Sequence, residues 1–399
     1  MGKKILIIMV LFFIFILQVE PKKEVQKEKK KEENVEERIE EKRAIYISYI
    51  ELQKYIKGKT VSDAKKNIDR MIQNINDFHF NMILLQVRSF SDAIYESKYF
   101  PWCSCVTSDV NSSPGFDVLD YFIKKSHSKN IELHAWVNPY RISNKTDTST
   151  LSKDSYAYQF LESGDAKVIE KGIFYNPASS KVKKLIVDGI TEILENYKVD
   201  GIHFDDYFYP SVEIDSSFYN DYLKTHKDIS VSEYHLMNVN NLVEKVHEVT
   251  KKYRVLFGIA PEGNIENNYA TNSADVYLWG SSDLYVDYLM PQIYYGFENE
   301  AKPFYEVLTT WEELVNKSNV RLLPALAFYK INTEDKYAKS GINEWIENDD
   351  IIMRQVLLSR NTNHYDGFSI FRYDNLFPDA EVEEVMKKEI NNLKKIIPN

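Results

Sequence analysis

The chain lacks most of the motifs that reveal a function at a glance. Its 399 residues include only two cysteines, Cys103 and Cys105, with one residue between them. A disulfide across so short a gap is strained, and no second pair exists to complete a zinc site, so both are expected to be free thiols in a loop. Glycine is sparse, at 13 residues. No Gly-rich turn follows an early strand to cradle a phosphate, and no Gly-x-Ser-x-Gly elbow presents a nucleophilic serine. Positive charge is in deficit: the net charge is −10 and the pI about 5.5, which argues against nucleic acid as a partner. No apolar run reaches the roughly 20 residues that a full membrane span needs, and no internal repeat is visible.

The longest apolar run, Ile5 to Leu17, follows Lys3 and Lys4. Its length and basic start suit a secretory h-region. Gln18-Val19-Glu20-Pro21 is a poor cleavage site, and no cysteine follows for lipid attachment. Residues 1–20 are therefore expected to be a signal peptide cut at an atypical site or an uncleaved membrane anchor. Either places the remainder outside the cytoplasm, in the cell envelope, secreted or tethered to the membrane. Residues 21–42 are almost all Lys and Glu, too poor in apolar side chains to bury a core, and read as a disordered tether. Residues 43–399 are expected to form one domain.

From Arg43 the pattern changes. Apolar strand-like runs are expected at 44–50, 81–87, 131–137, 199–205, 255–259, 286–290, 320–326 and 367–371. Helical sequence separates them, most clearly at 61–78, 116–129, 179–197 and 233–252, with a last helix at 379–397. Eight alternating βα units predict a (β/α)8 TIM barrel with long βα loops. An open doubly wound sheet would instead carry a Gly-rich phosphate turn.

In such a barrel the chemistry lies at the C-terminal ends of the strands. Side chains alternate between the two faces of a strand, so parity selects those that reach the barrel mouth. On the fourth strand Ile202 and Phe204 face the helices, while Gly201, His203 and Asp205 face inward. The alternative for Asp205 or Asp206 is a helix N-cap. On the third strand His134, Trp136 and Asn138 face inward; on the fifth, Leu256, Gly258, Ala260 and Glu262; on the sixth, Gln292 and Tyr294 with Tyr288 and Met290. Asp287 lies on the other face and reads as structural.

Asp205 and Glu262 thus project into the mouth from adjacent strands. Their expected separation of about 5–9 Å suits the acid–base pair of glycoside hydrolysis, with Asp206 orienting the site or holding a sugar hydroxyl. Arg88, Asp92, Asn138, Arg141, Asn264 and Gln292 are candidates for hydrogen bonds to substrate. Trp102, Tyr207 and Tyr294 offer stacking faces, although much of the count of 28 Tyr reflects overall composition. His203 is a further candidate. Its depth, like that of His134, also fits a packed core histidine, and a metal site with Asp205 is the less favoured reading. No metal or cofactor is expected.

Several stretches resemble a known family. They are Gln86-Val87-Arg88, Asp92-Ala93, Pro101-Trp102, Leu133 to Arg141, Asp200 to Pro210, and Asp287 to Tyr295. These are similar to the signature blocks of glycosyl-hydrolase-like family 10, a group of bacterial cell-envelope proteins. The resemblance covers about Arg43 to Phe371. It implies a TIM barrel acting on bacterial glycan, with peptidoglycan strands, either intact or stripped of their peptides, as substrate. It does not fix the catalytic pair: the position of Glu262 is often small or apolar in the family, and Asp206 or a loop acid would then take its role. A glycan-binding barrel without catalysis and a hydrolase of exogenous polysaccharide are the alternatives.

Overall fold

The computed structural model describes residues 40–315 and 318–398; the segment 1–39, with the expected signal or anchor and most of the tether, lies outside the described residues. The barrel strands are β1 (Lys42–Ile47), β2 (Met82–Arg88), β3 (Glu132–Val137), β4 (Gly201–Phe204), β5 (Leu256–Ile259), β6 (Tyr288–Leu289), β7 in two pieces (Arg321–Leu322 and Ala325–Ala327) and β8 (Gly367–Phe371). Each pairs in parallel with its neighbours in chain order, and β1 pairs with β8. The interruption in β7 falls at Leu323-Pro324, because proline has no N–H for the ladder. The first piece pairs with β6 and the second with β8. Single bridges, Gln292 to Ala325 and Leu322 to Tyr365, carry each piece to the other neighbour. The ring is closed, and the fold is the expected (β/α)8 barrel.

Strand parity separates two apolar layers. Ile45, Ile83, Leu133, Ile202 and Phe257 belong to the core between strands and helices. Tyr46, Leu84, Trp136, Tyr288 and Met290 fill the interior. Small residues make room for large ones: a Cβ at Gly258 would overlap the Tyr288 ring, and one at Gly201 the His134 ring. The helix Val61–Asp77 buries Ala64, Ile68, Met71, Ile72 and Ile75, the stripe its spacing predicts. The helices Val118–His127, Ser180–Asn196, Val231–Tyr253 and Glu384–Ile396 fall within the expected spans or within two residues of them.

Three local expectations are corrected. The first strand ends at Ile47, short of Ile50, because Ser48 and Glu51 form a capping box that starts the helix Tyr49–Tyr55. The β3–β4 connection carries an unforeseen antiparallel sheet of Arg141–Ser143, Ala166–Ile169 and Gly172–Tyr175. Cys103 and Cys105 are joined as a disulfide and are not free thiols. Their loop folds back so that the Cα atoms lie 5.1 Å apart, inside the range a disulfide spans.

Asp287 is structural, as parity implies. Its carboxylate accepts from Lys251 Nζ at 2.6 Å and from the Phe257 amide at 2.8 Å. Burial would raise its pKa, but these bonds and the His247 imidazole 3.5 Å away hold it down at about 2. The folded value lies below the unfolded one. The contribution is therefore present above about pH 4 and lost as pH falls through 2. Asp287→Asn is expected to cost about 2 kcal/mol at pH 7 and almost nothing near pH 2. Urea unfolding at the two pH values checks this; an equal cost at both would show that charge is not the cause.

Candidate active site

The mouth is organised by a relay of side-chain amides running across three strands. Gln86 on β2 accepts from the Tyr49 amide at 2.9 Å and donates to Asn138 Oδ1 at 2.6 Å. Asn138, just past β3, donates to Asp205 Oδ2 at 2.5 Å, and Trp136 Nε1 donates to the same oxygen at 3.1 Å. Among the described residues, Oδ1 of Asp205 receives only the Tyr207 amide, at 3.4 Å. One carboxylate oxygen is thus saturated by fixed donors, while the other is nearly free.

Asp205 and Asp206 both border a cavity of about 250 Å³ at the barrel mouth, with Tyr49, Arg141, Tyr294 and Arg372. A second cavity of about 250 Å³ shares Arg141, Asp206 and Tyr207 and extends to Glu262 and Asn272. The shared residues make one groove that passes over Asp206. Burial pushes the Asp205 carboxyl up, opposed by the Arg141 charge and by hydrogen bonds from Asn138, Tyr207 and Trp136. Asp206 is pushed up by burial and then by the charge of Asp205 beside it. The pair titrates together, and proton retention at Asp206 relieves the repulsion, since Asp205 has the donors that stabilise an anion. Arg141 packs between Phe90 and Tyr207, 4.7 and 4.5 Å from the two ring centres. Tyr207 is 51% exposed and leaves its other face open to the groove. No helix begins at Asp205 or Asp206; the next is Ser216–Tyr222.

Asp205 and Glu262 are not brought to one cavity. Glu262 borders only the second and is held by Asn267 Nδ2 at 2.9 Å and Asn272 Nδ2 at 3.4 Å. Asn138, Arg141, Tyr207, Gln292 and Tyr294 do gather at the mouth or directly beneath it. Gln292 Nε2 donates to the Ala260 carbonyl at 2.9 Å. Tyr294 packs against Tyr329 and Phe371.

The remaining candidates lie elsewhere. Arg88 is buried behind β2, its guanidinium 4.2 Å from the centre of the Phe100 ring. A register shift between Gln86 and Arg88 puts Arg88 opposite outward-facing Val137, so parity fails there. Asp92 and Trp102 border a separate cleft of about 350 Å³. Asp92 accepts from the Phe90 amide, and burial pushes its pKa to about 6. Asn264 borders none of these cavities and precedes the helix Ile265–Ala270. His203 is fully buried below the floor, 3.1 Å from Tyr46 Oη and 3.0 Å from Tyr288 Oη, and His134 lies 2.9 Å from the latter. Burial pushes both imidazoles down, His134 to about 4. They are neutral core histidines.

Tyr46, Ser48, Tyr49, Ile50, Gln86, Trp136, Phe371 and Arg372 also line the cavity and were not among the candidates. Inward parity marks Gln86, Tyr46 and Trp136. Arg372 directly follows β8, a strand end as eligible as the others.

The sequence profile of the glycosyl hydrolase-like 10 family matches residues 41–342. The chain belongs to that family. It is 29% identical over 341 residues to "Glycosyl hydrolase YngK" of Bacillus subtilis, covering 80% of this chain and 65% of the relative. The chain thus spans just under two thirds of that relative's length. It is 28% identical over 345 residues to "Glycosyl hydrolase DigH" of Escherichia coli K12, covering 77% of this chain and 75% of the relative. The glycoside hydrolase domain of PgaB (BpsB) from Bordetella bronchiseptica shares the fold, with a TM-score of 0.56 at 10% identity over 85% of this chain and 96% of that one.

Proposed function

We propose that this protein is an exported glycoside hydrolase that cleaves the glycan strands of bacterial peptidoglycan. The observation that carries the reading is the carboxyl pair of buried Asp205 and half-buried Asp206, set in a groove that aromatic side chains line. One carboxyl is fixed by anion-stabilising donors and the other tends to hold a proton, the division of labour that glycoside hydrolysis needs. A groove continuous past the pair suits a polymer. The apolar run Ile5 to Leu17 and the charged tract behind it support delivery to the envelope, where the nearest glycan is the wall itself.

The test is digestion of peptidoglycan sacculi, intact and amidase-treated, by the full chain, with Asp205→Asn and Glu262→Gln alongside. Release of soluble glycan by the parent and by Glu262→Gln, with loss of about 10²–10⁴-fold in Asp205→Asn, is expected. No release with retained binding to sacculi would favour a glycan-binding barrel. Release from another polysaccharide alone would favour an exogenous substrate.

A further inference from the structure

The carboxyl inventory of the groove raises a question that the hydrolase reading leaves open. Retaining enzymes place a nucleophile about 5–5.5 Å from the acid, and inverting enzymes place a base about 6.5–9.5 Å away, in each arrangement with carboxyls flanking the sugar. Among the described residues the only carboxyls lining the first cavity are those of Asp205 and Asp206, which are consecutive at the end of one strand. The opposite wall, from β8 and β1, presents Tyr46, Ser48, Phe371 and Arg372 and no carboxylate. Glu51 behind that wall is fully buried and tied to the Ser48 amide and Arg372 Nε. Glu262 borders only the neighbouring cavity. Glu262 shares that second cavity with Asp206, but among the described residues no carboxylate lies across the first cavity from Asp205 and Asp206, so a sugar seated there meets no protein nucleophile or base opposite the pair.

Building on the proposed hydrolase activity, we propose that the missing nucleophile is the substrate's own 2-acetamido oxygen, and that the substrates are glycans of 2-acetamido sugars. Asp205, its Oδ2 fixed by Trp136 and Asn138, presents Oδ1 to accept the acetamide N–H. Asp206 is the acid. In the first step the acetamido oxygen bonds to C1, the bond from C1 to the glycosidic oxygen breaks, and the Asp206 proton passes to that departing oxygen. The resulting oxazolinium keeps its N–H on Asp205. In the second step ionised Asp206 takes a proton from water, the water oxygen bonds to C1, and the bond from C1 to the ring oxygen of the oxazolinium breaks, restoring the acetamide. Two displacements at C1 retain its configuration. Both sugars of a peptidoglycan strand carry this acetamide, the feature of the proposed substrate that Asp205 and Asp206 read.

The experiment compares three preparations of amidase-treated glycan strands: native, chemically N-deacetylated, and N-deacetylated then re-acylated with trifluoroacetyl groups. The full chain is assayed on each, with a GlcNAc-derived thiazoline as inhibitor and NMR of the new anomeric centre. The trifluoroacetyl strand keeps the amide N–H and its shape but has a poor oxygen nucleophile. A fall of about 10²-fold or more in kcat on it, competitive inhibition by the thiazoline and a retained anomer are expected. Equal kcat on native and trifluoroacetyl strands, or an inverted anomer, would overturn the proposal while leaving the hydrolase intact. No cleavage of any strand would remove the hydrolase reading and this one together.

Discussion

Asp206→Asn is expected to lose about 10²–10⁴-fold in kcat and at the same time to make the protein more stable. The two effects share one cause. Asp206 is pushed up by burial and by the neighbouring Asp205 charge. Its folded pKa lies above the unfolded value of about 4, so the folded state keeps a proton that the unfolded chain has released. Stability attached to this group is therefore greatest below about pH 4 and falls as pH rises through the folded value. Asparagine cannot ionise and removes that cost, a gain of about 1 kcal/mol at neutral pH after allowance for solvent at the mouth. The activity profile follows the same pair. The alkaline limb reports loss of the Asp206 proton, above the ordinary carboxylate range. The acid limb reports protonation of Asp205, which the fixed donors Trp136 and Asn138 oppose. Thermal unfolding and a pH–rate profile of parent and variant check both halves. An aryl glycoside with a good leaving group, which needs little protonation, should recover much of the lost rate. A variant less stable than the parent, or equally slow on that aryl substrate, would mean that Asp206 is structural.

Much of this arrangement is legible in the sequence because it rests on a period of two. Inward positions on β3, β4, β5 and β6 follow from alternation alone, and Trp136, Asn138, His203, Asp205, Tyr288 and Gln292 lie where alternation puts them. Alternation fails at Arg88 for a reason no pattern carries: the register shift after Gln86 depends on how β2 meets β3. Parity gives direction but not depth: Glu262 keeps its register, bridging Gln292 past the end of β5, and lines the cavity it shares with Asp206, while Asp205 borders the other. Asp206, which parity alone turns away from the mouth, returns to it because the strand ends at Phe204 and alternation ends with it. The relay from Tyr49 through Gln86 to Asn138 joins residues about 40 and 50 positions apart, which alternation within one strand does not record.

The second large effect lies far from the chemistry, in Glu389. Its carboxylate is fully buried and accepts from the amides of Ile351, Ile352 and Met353 at 2.8, 2.9 and 3.2 Å. These amides open the helix Ile351–Ser359, whose own cap residue, Asp350, makes no side-chain capping bond. A residue on the last helix thus caps a helix some 40 positions earlier, and Leu393 buries the same face of that last helix. Burial pushes the Glu389 carboxyl up to about 7, so a neutral acceptor can replace much of what it does. Glu389→Ala strands two buried donors and a half-buried third and is expected to cost about 3–5 kcal/mol in urea unfolding. Glu389→Gln keeps an acceptor and should cost less than half as much. It should also flatten the loss of stability between about pH 4 and 7, where the folded state holds a proton that the unfolded chain does not. Equal costs for the two variants would assign the effect to packing. The consequence reaches the active site through the barrel. Gln355, on the capped helix, donates to the Tyr295 carbonyl at 2.8 Å, next to Tyr294 at the mouth. The next strand in the chain, β8, closes the ring and delivers Phe371 and Arg372 to the cavity. The family match ends at 342, yet Phe371 and Arg372 from this later part of the chain share the cavity wall with Tyr46 and Ser48 of the first strand and its end. Glu389→Ala is therefore expected to lose activity on mild heating before Asp206→Asn begins to unfold.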